Sequence, residues 1–192
     1  MRLVLATRNG HKLRELGRML GGVELEPLPV GIALPPEDGD TYAANAVPKA
    51  RAAAAALGRA AIADDSGIQA EALGGAPGVR SARFAGADAT DADNLAKLRA
   101  AAPAGSRLRY VCVMAYAEAD GRERVFEGAC AGTLAPAARG SGGFGYDPVF
   151  LPDDIPDGRT MAELSDAEKD GISHRGRAAR ALLAWLEAER RG

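Results

Sequence analysis

The stretch Ala61-Ile62-Ala63-Asp64-Asp65-Ser66-Gly67-Ile68 carries an apolar run into two adjacent carboxylates, a hydroxyl and a glycine, the residue types of a cation site for phosphate chemistry. Residues 60–63 read as a short buried strand, with Asp64 and Asp65 emerging at its carboxyl end, where open α/β sheets place their ligand crevices. Successive strand residues face opposite sides, so the two carboxylates are expected to have different jobs. Asp65 is expected to reach out as a hard oxygen ligand for Mg²⁺, and Asp64 to turn back toward backbone amides or a nearby arginine. A polar turn without chemistry is the alternative for this stretch alone.

Four other segments carry polar groups that make sense with it. Thr7-Arg8-Asn9-Gly10-His11-Lys12 lies between an expected strand and helix, so its amides and the helix amino terminus can meet an anion, with Lys12 adding a point charge. The acidic loop Glu37-Asp38-Gly39-Asp40-Thr41-Tyr42 offers Glu37 as a second oxygen ligand and Asp40 or Thr41 as a helix cap. Gly140-Ser141-Gly142-Gly143-Phe144-Gly145-Tyr146-Asp147-Pro148 contains a literal Gly-x-Gly-x-x-Gly. The strand before and helix after that a dinucleotide fingerprint needs are missing, so the loop instead suits stacking of a planar base on Phe144 and Tyr146, with Asp147 anchoring the turn or facing phosphates. In Ser165–Arg175, Ser165 and Glu168 form a capping box for a short helix ended by Gly171, and Ser173 caps a last helix. His174 and Arg175 then sit in a first helical turn, where cations are disfavoured unless something anionic or carbonyl-rich is near. Each segment has a bland counterpart: a turn, a solvated helix start, a glycine-rich surface loop, an ordinary cap.

The elements that must position these groups alternate along the chain. Strands are expected at residues 3–6 and 23–27 around a helix at 11–20, a βαβ-like opening. A second helix spans about 41–57, with Pro48 predicting a kink or a delayed start, and an irregular stretch covers 71–88. A helix over 91–101 follows, then strands at 108–118 and 122–130 joined by Asp120-Gly121, a hairpin signal that makes the sheet mixed. Leu108, Tyr110, Cys112, Met114 and Tyr116 share one strand face, and Ala179, Leu182, Leu183 and Leu186 form the apolar stripe of a helix over 173–190.

At 192 residues the chain suits one α/β domain over residues 1–192, large enough for its own core. A net charge of −2 provides no basic field for a nucleic-acid polymer. Cys112 and Cys130 lie in apolar strand-like segments and are not spaced as metal ligands, which suits core thiols in a reducing, cytoplasmic compartment. Residues 3–6 are too brief an apolar run for a signal core or a membrane span. No Gly-x-x-x-x-Gly-Lys-Ser/Thr occurs, which argues against the P-loop enzymes.

Taken together, Thr7–Lys12, Ala63–Ile68, Leu73–Gly86, Gly143–Pro148 and Ser173-His174-Arg175 resemble, in order and spacing and across essentially the whole chain, the family of noncanonical purine nucleoside triphosphate pyrophosphatases, the inosine/xanthosine triphosphatases. The resemblance implies an α/β fold, a mixed twisted sheet with flanking helices and two lobes around a central nucleotide-binding cleft, in a Mg²⁺-dependent homodimer. It implies hydrolysis of dITP/ITP and XTP/dXTP to monophosphate and pyrophosphate. It makes Asp65 the catalytic carboxylate and metal ligand and Glu37 a further metal ligand. Thr7, Arg8, Asn9, Gly10, His11, Lys12, Ser66 and Lys169 would hold the triphosphate. Phe144, Gly145, Tyr146 and Asp147 would hold the nucleoside, with His174 and Arg175 donating to the 6-oxo group of the purine. Such donors would face another donor in adenine's amino group, at a cost of about 1–3 kcal/mol when buried. Guanine shares the 6-oxo group, so its exclusion must come from the 2-position. Arg8 and Pro48 depart from the family pattern near the phosphates and in the second helix. Two other functions remain in competition: a regulatory module that binds a purine nucleotide without turnover, and a triphosphatase for modified pyrimidine nucleotides.

Overall fold

A computed structural model describes residues 1–191. The first strand, β1 (Arg2–Leu5), leads through helix α1 (Gly10–Met19) to β2 (Glu24–Pro27), which pairs parallel with β1. This is the expected βαβ opening. Helix α2 (Tyr42–Leu57) is capped by Thr41, whose hydroxyl accepts the Ala44 amide. The helix runs unbroken through Pro48, so no delayed start occurs.

The strand that carries the acidic pair differs from expectation. It is β3 (Ala61–Ala70), ten residues long, and Asp64 and Asp65 lie within it instead of past its end. Gly67 explains why the chain stays extended beyond the carboxylates. A Cβ there would come within 2.2 Å of the Gly78 carbonyl oxygen and 2.5 Å of the Ser81 hydroxyl, which accepts the Ile68 amide at 2.8 Å. The polar composition of Asp-Asp-Ser-Gly reads as a turn, but that neighbouring segment supplies the partners of an extended strand. The stretch expected to be irregular holds two short 3-10 helices, Glu71–Leu73 and Gly78–Arg83.

Helix α3 (Asp91–Ala101) opens on a Thr90/Asp93 capping box. Strands β4 (Arg107–Ala117) and β5 (Glu123–Leu134) meet at the Asp120-Gly121 turn, and β5 runs four residues past its expected end at Cys130. A short β6 (Phe150–Pro152) pairs antiparallel with β5. The sheet order is β2-β1-β3-β4-β5-β6, mixed as expected. Helix α4 (Asp166–Ile172) has the Ser165/Glu168 capping box, but it continues through Gly171 and its carboxyl cap is Ser173, because the Ser173 amide still bonds back to the Lys169 carbonyl. Helix α5 (His174–Glu189) is the last element.

The chain divides into two compact units. Among the described residues, the first comprises 1–65, 112–128 and 175–191, and the second 66–111 and 129–174. Each has its own apolar core. In the first, Leu3, Leu5, Ile62, Cys112, Met114 and Tyr116 pack with Ala179, Leu182 and Leu186, the stripe expected of the last helix. In the second, Ile68, Leu108, Tyr110, Cys130, Tyr146, Phe150 and Met161 cluster with Leu98 of α3. One alternating face of β4 therefore supplies side chains to both cores. Neither Cys112 nor Cys130 is in a disulfide, and both are buried. Among the described residues, no helix is long and apolar enough to cross a membrane.

Candidate active site

In the first unit, Asp64 is fully enclosed. Its Oδ2 lies 3.1 Å from the Lys12 ammonium and accepts from Arg175 Nη2 at 3.2 Å and Nε at 3.3 Å. The other carboxylate oxygen, Oδ1, is buried without a hydrogen-bond partner. Burial pushes the Asp64 carboxyl up, but Lys12, Arg175 and Lys49 outweigh it and hold the group well below the usual carboxylate range. The same carboxylate, with burial as the larger cause, pushes the Cys112 thiol up to about 12. Asp64 is thus the inward-turned partner of an arginine, as expected.

Asp65 faces different neighbours. Its Oδ2 accepts from Asn45 Nδ2 at 2.9 Å. Burial, and to a lesser degree the Glu37 charge, raise its pKa, while the Asn45 bond and the Lys12 and Lys49 charges hold it down; the balance lies above the ordinary aspartate value. Asn45 also accepts the Gly39 amide at 2.8 Å, so one side chain ties Asp65 to the loop that carries Glu37. Glu37 pairs with Lys49, whose ammonium also donates to the Asp64 carbonyl at 2.8 Å.

The loop before α1 is organised by its own residues. Asn9 Oδ1 accepts the His11 and Lys12 amides at 2.9 and 3.2 Å, and its own amide donates to the Thr7 hydroxyl. Those two amides are therefore taken, which leaves Lys12 as the main positive contribution of this loop. Arg8, the departure from the family pattern, donates to the carbonyls of Leu28, Pro29 and Ile32, each at 3.0 Å, and so pins the loop after β2. His11 is exposed and meets Arg14 through Nδ1 at 2.9 Å.

Arg175 resolves its mismatch with the helix dipole through carboxylates. Only 1% exposed, it donates to Glu15 at 2.6 Å and to Asp64. The structure thus gives Arg175 two buried carboxylates as partners, where the resemblance gives it a purine oxygen.

The second unit brings the glycine loop, Lys169 and His174 together. Lys169 and Asp147 form a buried ion pair at 2.6 Å. Asp147 Oδ2 also accepts the Phe144 amide at 2.9 Å, and Oδ1 accepts the Tyr110 hydroxyl at 3.1 Å. Asp147 therefore anchors the turn. Gly143 has φ +68°, and a Cβ on it would stand 2.0 Å from Asp147 Oδ2, so only glycine permits this closure. The Lys169 ammonium lies 5.3 Å from the centre of the Phe144 ring. The Gly145 amide donates to Asp91 at 2.8 Å, and the Tyr146 hydroxyl donates to the Ser81 carbonyl at 2.7 Å. His174 stacks on Tyr110, centroids 4.5 Å apart at 6°. Ser66 is half-buried on β3.

Four residues at these sites escaped the sequence: Lys49, Asn45, Glu15 and Tyr110. Glu15 follows Lys12 by three positions, the spacing that puts two residues on one helix face, and that spacing is a usable signal. Lys49 and Asn45 share the buried side of an alanine-rich helix, where only packing distinguishes them from solvated residues.

Residues 3–185 match the family model described as the Ham1 family. The chain is 48% identical over 191 residues to a dITP/XTP pyrophosphatase of Symbiobacterium thermophilum, covering 97% of this chain and 95% of that protein. It is 46% identical to a dITP/XTP pyrophosphatase of Erwinia tasmaniensis, covering 94% and 92% respectively. Its fold is similar to a HAM1 protein from Coxiella burnetii, with TM-score 0.84, 39% identity and coverage of 98% of this chain and 99% of that one. With the fold shared over nearly its full length and the family model spanning both units, the chain belongs to the Ham1 family.

Proposed function

We infer that the protein hydrolyses noncanonical purine nucleoside triphosphates, dITP/ITP and XTP/dXTP, to the monophosphate and pyrophosphate, and so removes them from the nucleotide pool. The observation that carries the reading is the Asp64-Asp65 pair of the first unit, one carboxylate locked by cations and the other bonded to the Asn45 amide, in a chain nearly half identical to dITP/XTP pyrophosphatases.

The residues of the first unit fit a divalent cation. Asp65, Asp64, Glu37 and Glu15 present four carboxylates to three cations, Lys12, Lys49 and Arg175, and Asp64 Oδ1 is a buried oxygen without a partner. Among the described residues no cluster of three or more histidine, cysteine or acidic groups forms an all-protein cage. That suits Mg²⁺, which is commonly held by one or two carboxylates together with substrate phosphates and water. Asp65 and Glu37 would hold it. When bound, the ion neutralises phosphate charge and that of the leaving pyrophosphate.

Asp65 orients a water toward the α-phosphorus and accepts its proton. Lys12, with the loop from Thr7 to His11, binds the triphosphate on the first unit. Phe144 faces the base, Gly145 and Asp147 shape the turn that presents it, and His174 donates to the 6-oxo group; Tyr146, whose ring was expected to stack on the base, is instead packed in the second core with its hydroxyl on the Ser81 carbonyl. Arg175 acts on the same chemistry by locking Asp64 in place. The protein is proposed to work as a homodimer, which rests on the family resemblance, in the reducing compartment of the cytoplasm, which rests on its two buried core cysteines.

The test is product analysis with dITP, XTP, dGTP and dATP, with Mg²⁺ and with EDTA. Pyrophosphate from dITP and XTP, abolished by EDTA, is the expected result. Orthophosphate would overturn the bond cleaved, and equal turnover of all four the specificity. Binding without any turnover would favour a regulatory module, and preference for modified pyrimidines a different substrate class.

A further inference from the structure

The alternation of β4 accounts for Tyr110 as a core residue and for nothing more. Its ring does pack there, 4.6 Å from Phe150, and the residue is 6% exposed. A phenylalanine would serve that purpose without burying a hydroxyl, which is costly unless the hydroxyl is bonded. The tyrosine hydroxyl instead donates to Asp147 Oδ1 at 3.1 Å, onto a carboxylate whose charge Lys169 already balances. The opposite use of the same ring is a parallel stack on the His174 imidazole, 4.5 Å between centroids with 6° between planes. One side chain therefore touches both the imidazole that the functional reading aims at the 6-oxo group and the carboxylate that closes the base-facing turn.

We propose that Tyr110 is a specificity-determining positioning residue: its ring sets the plane of the His174 imidazole, and its hydroxyl holds the Asp147 carboxylate toward β4 and the Phe144 turn. This rests on the proposed function and deepens it at the 2-position of the purine. The 2-amino group of guanine is a donor that needs an acceptor once buried. Asp147 is the acidic residue of the base-facing loop. Its Oδ2 already takes the Lys169 ammonium and the Phe144 amide, and Tyr110 turns Oδ1 to itself. Hypoxanthine, with no 2-amino group, loses nothing by this arrangement. Guanine is left with a donor and no oriented acceptor.

The experiment compares kcat/KM for dITP, dGTP and dATP in the wild-type protein, Tyr110→Phe and Tyr110→Leu, with thermal melts of all three. Tyr110→Phe keeps the stack and frees Oδ1, so dGTP turnover relative to dITP is expected to rise about fivefold or more, the worth of one hydrogen bond. Tyr110→Leu also removes the stack, so the preference for dITP over dATP is expected to fall as well. Unchanged ratios in the near-isosteric Tyr110→Phe would overturn the proposal and leave Tyr110 a packing residue, whether or not Tyr110→Leu folds. A wild-type protein that hydrolyses none of the three would overturn the functional reading itself, an outcome distinct from retained preference in the variants.

Discussion

The ionisable groups around Asp64 form an extended network of carboxylates and cations, while Asp147 and Lys169 beside the glycine loop of the second unit form a close pair. Asp64 meets Lys12 and Arg175 but keeps one oxygen unsatisfied, and Glu15, Glu37 and Asp65 add further negative charge. Asp147, by contrast, has Lys169, the Tyr110 hydroxyl and the Phe144 amide, with aromatic rings alongside. The two arrangements can receive different groups. A carboxylate-rich network with embedded cations answers to a metal ion and a polyanion together, because each offsets charge that the other leaves. A neutralised pair beside aromatic faces answers to an uncharged planar group, where stacking and one or two oriented donors decide the fit.

The largest effect is expected at Asp65. Asp65→Asn keeps the Asn45 contact within reach but removes the charge, and kcat/KM for dITP is expected to fall about a thousandfold, as for loss of a positioned general base. Steady-state pyrophosphate release checks this, and retained turnover would move the chemistry elsewhere. Arg175→Met tests the network as structure. It strands two buried carboxylates, Glu15 and Asp64, and is expected to destabilise the fold by about 3–5 kcal/mol in urea melts. Lys169→Met sharpens the contrast, since Asp147 keeps two donors, and the expected loss is smaller, about 1–3 kcal/mol. Equal losses from the two variants would mean that the pair is no more self-sufficient than the network.

Asn45→Ala leaves every charge in place and frees Asp65 from the Glu37 loop. A loss of kcat of about tenfold is expected, the lower end for removing a residue that orients a ligand, with a smaller change in KM. The smallest effect concerns Cys112. With its thiol pushed up to about 12 and its side chain enclosed, it is expected to stay unmodified by a thiol reagent at pH 8 in the native protein and to react after denaturation.

Much of the site was legible because its motifs are contiguous. Asp64-Asp65, Thr7 to Lys12, and Phe144 to Asp147 each announce a type of chemistry through neighbouring residues, and capping pairs such as Thr90/Asp93 and Ser165/Glu168 announce helix starts. Lys49, Asn45, Glu15 and Tyr110 were not legible, because each looks like an ordinary residue of its helix or strand. The strand ends erred for a related reason. Asp, Ser and Gly are poor strand formers by themselves, yet β3 runs through all three because Ser81 and Gly78 lie against it.

The sequence by itself determined the alternation of elements, the mixed sheet, the two adjacent carboxylates facing different neighbours and the glycines of the closing turn, since these depend on residue type and short spacing. Only the tertiary structure decided that Arg175 spends its guanidinium on Glu15 and Asp64, that Asn45 joins Asp65 to the Glu37 loop, and that Tyr110 bridges His174 and Asp147. Those pairings join residues far apart in the chain. Their energies arise from burial, which removes the competing water and makes each unpartnered charge costly, and burial is a property of the folded whole.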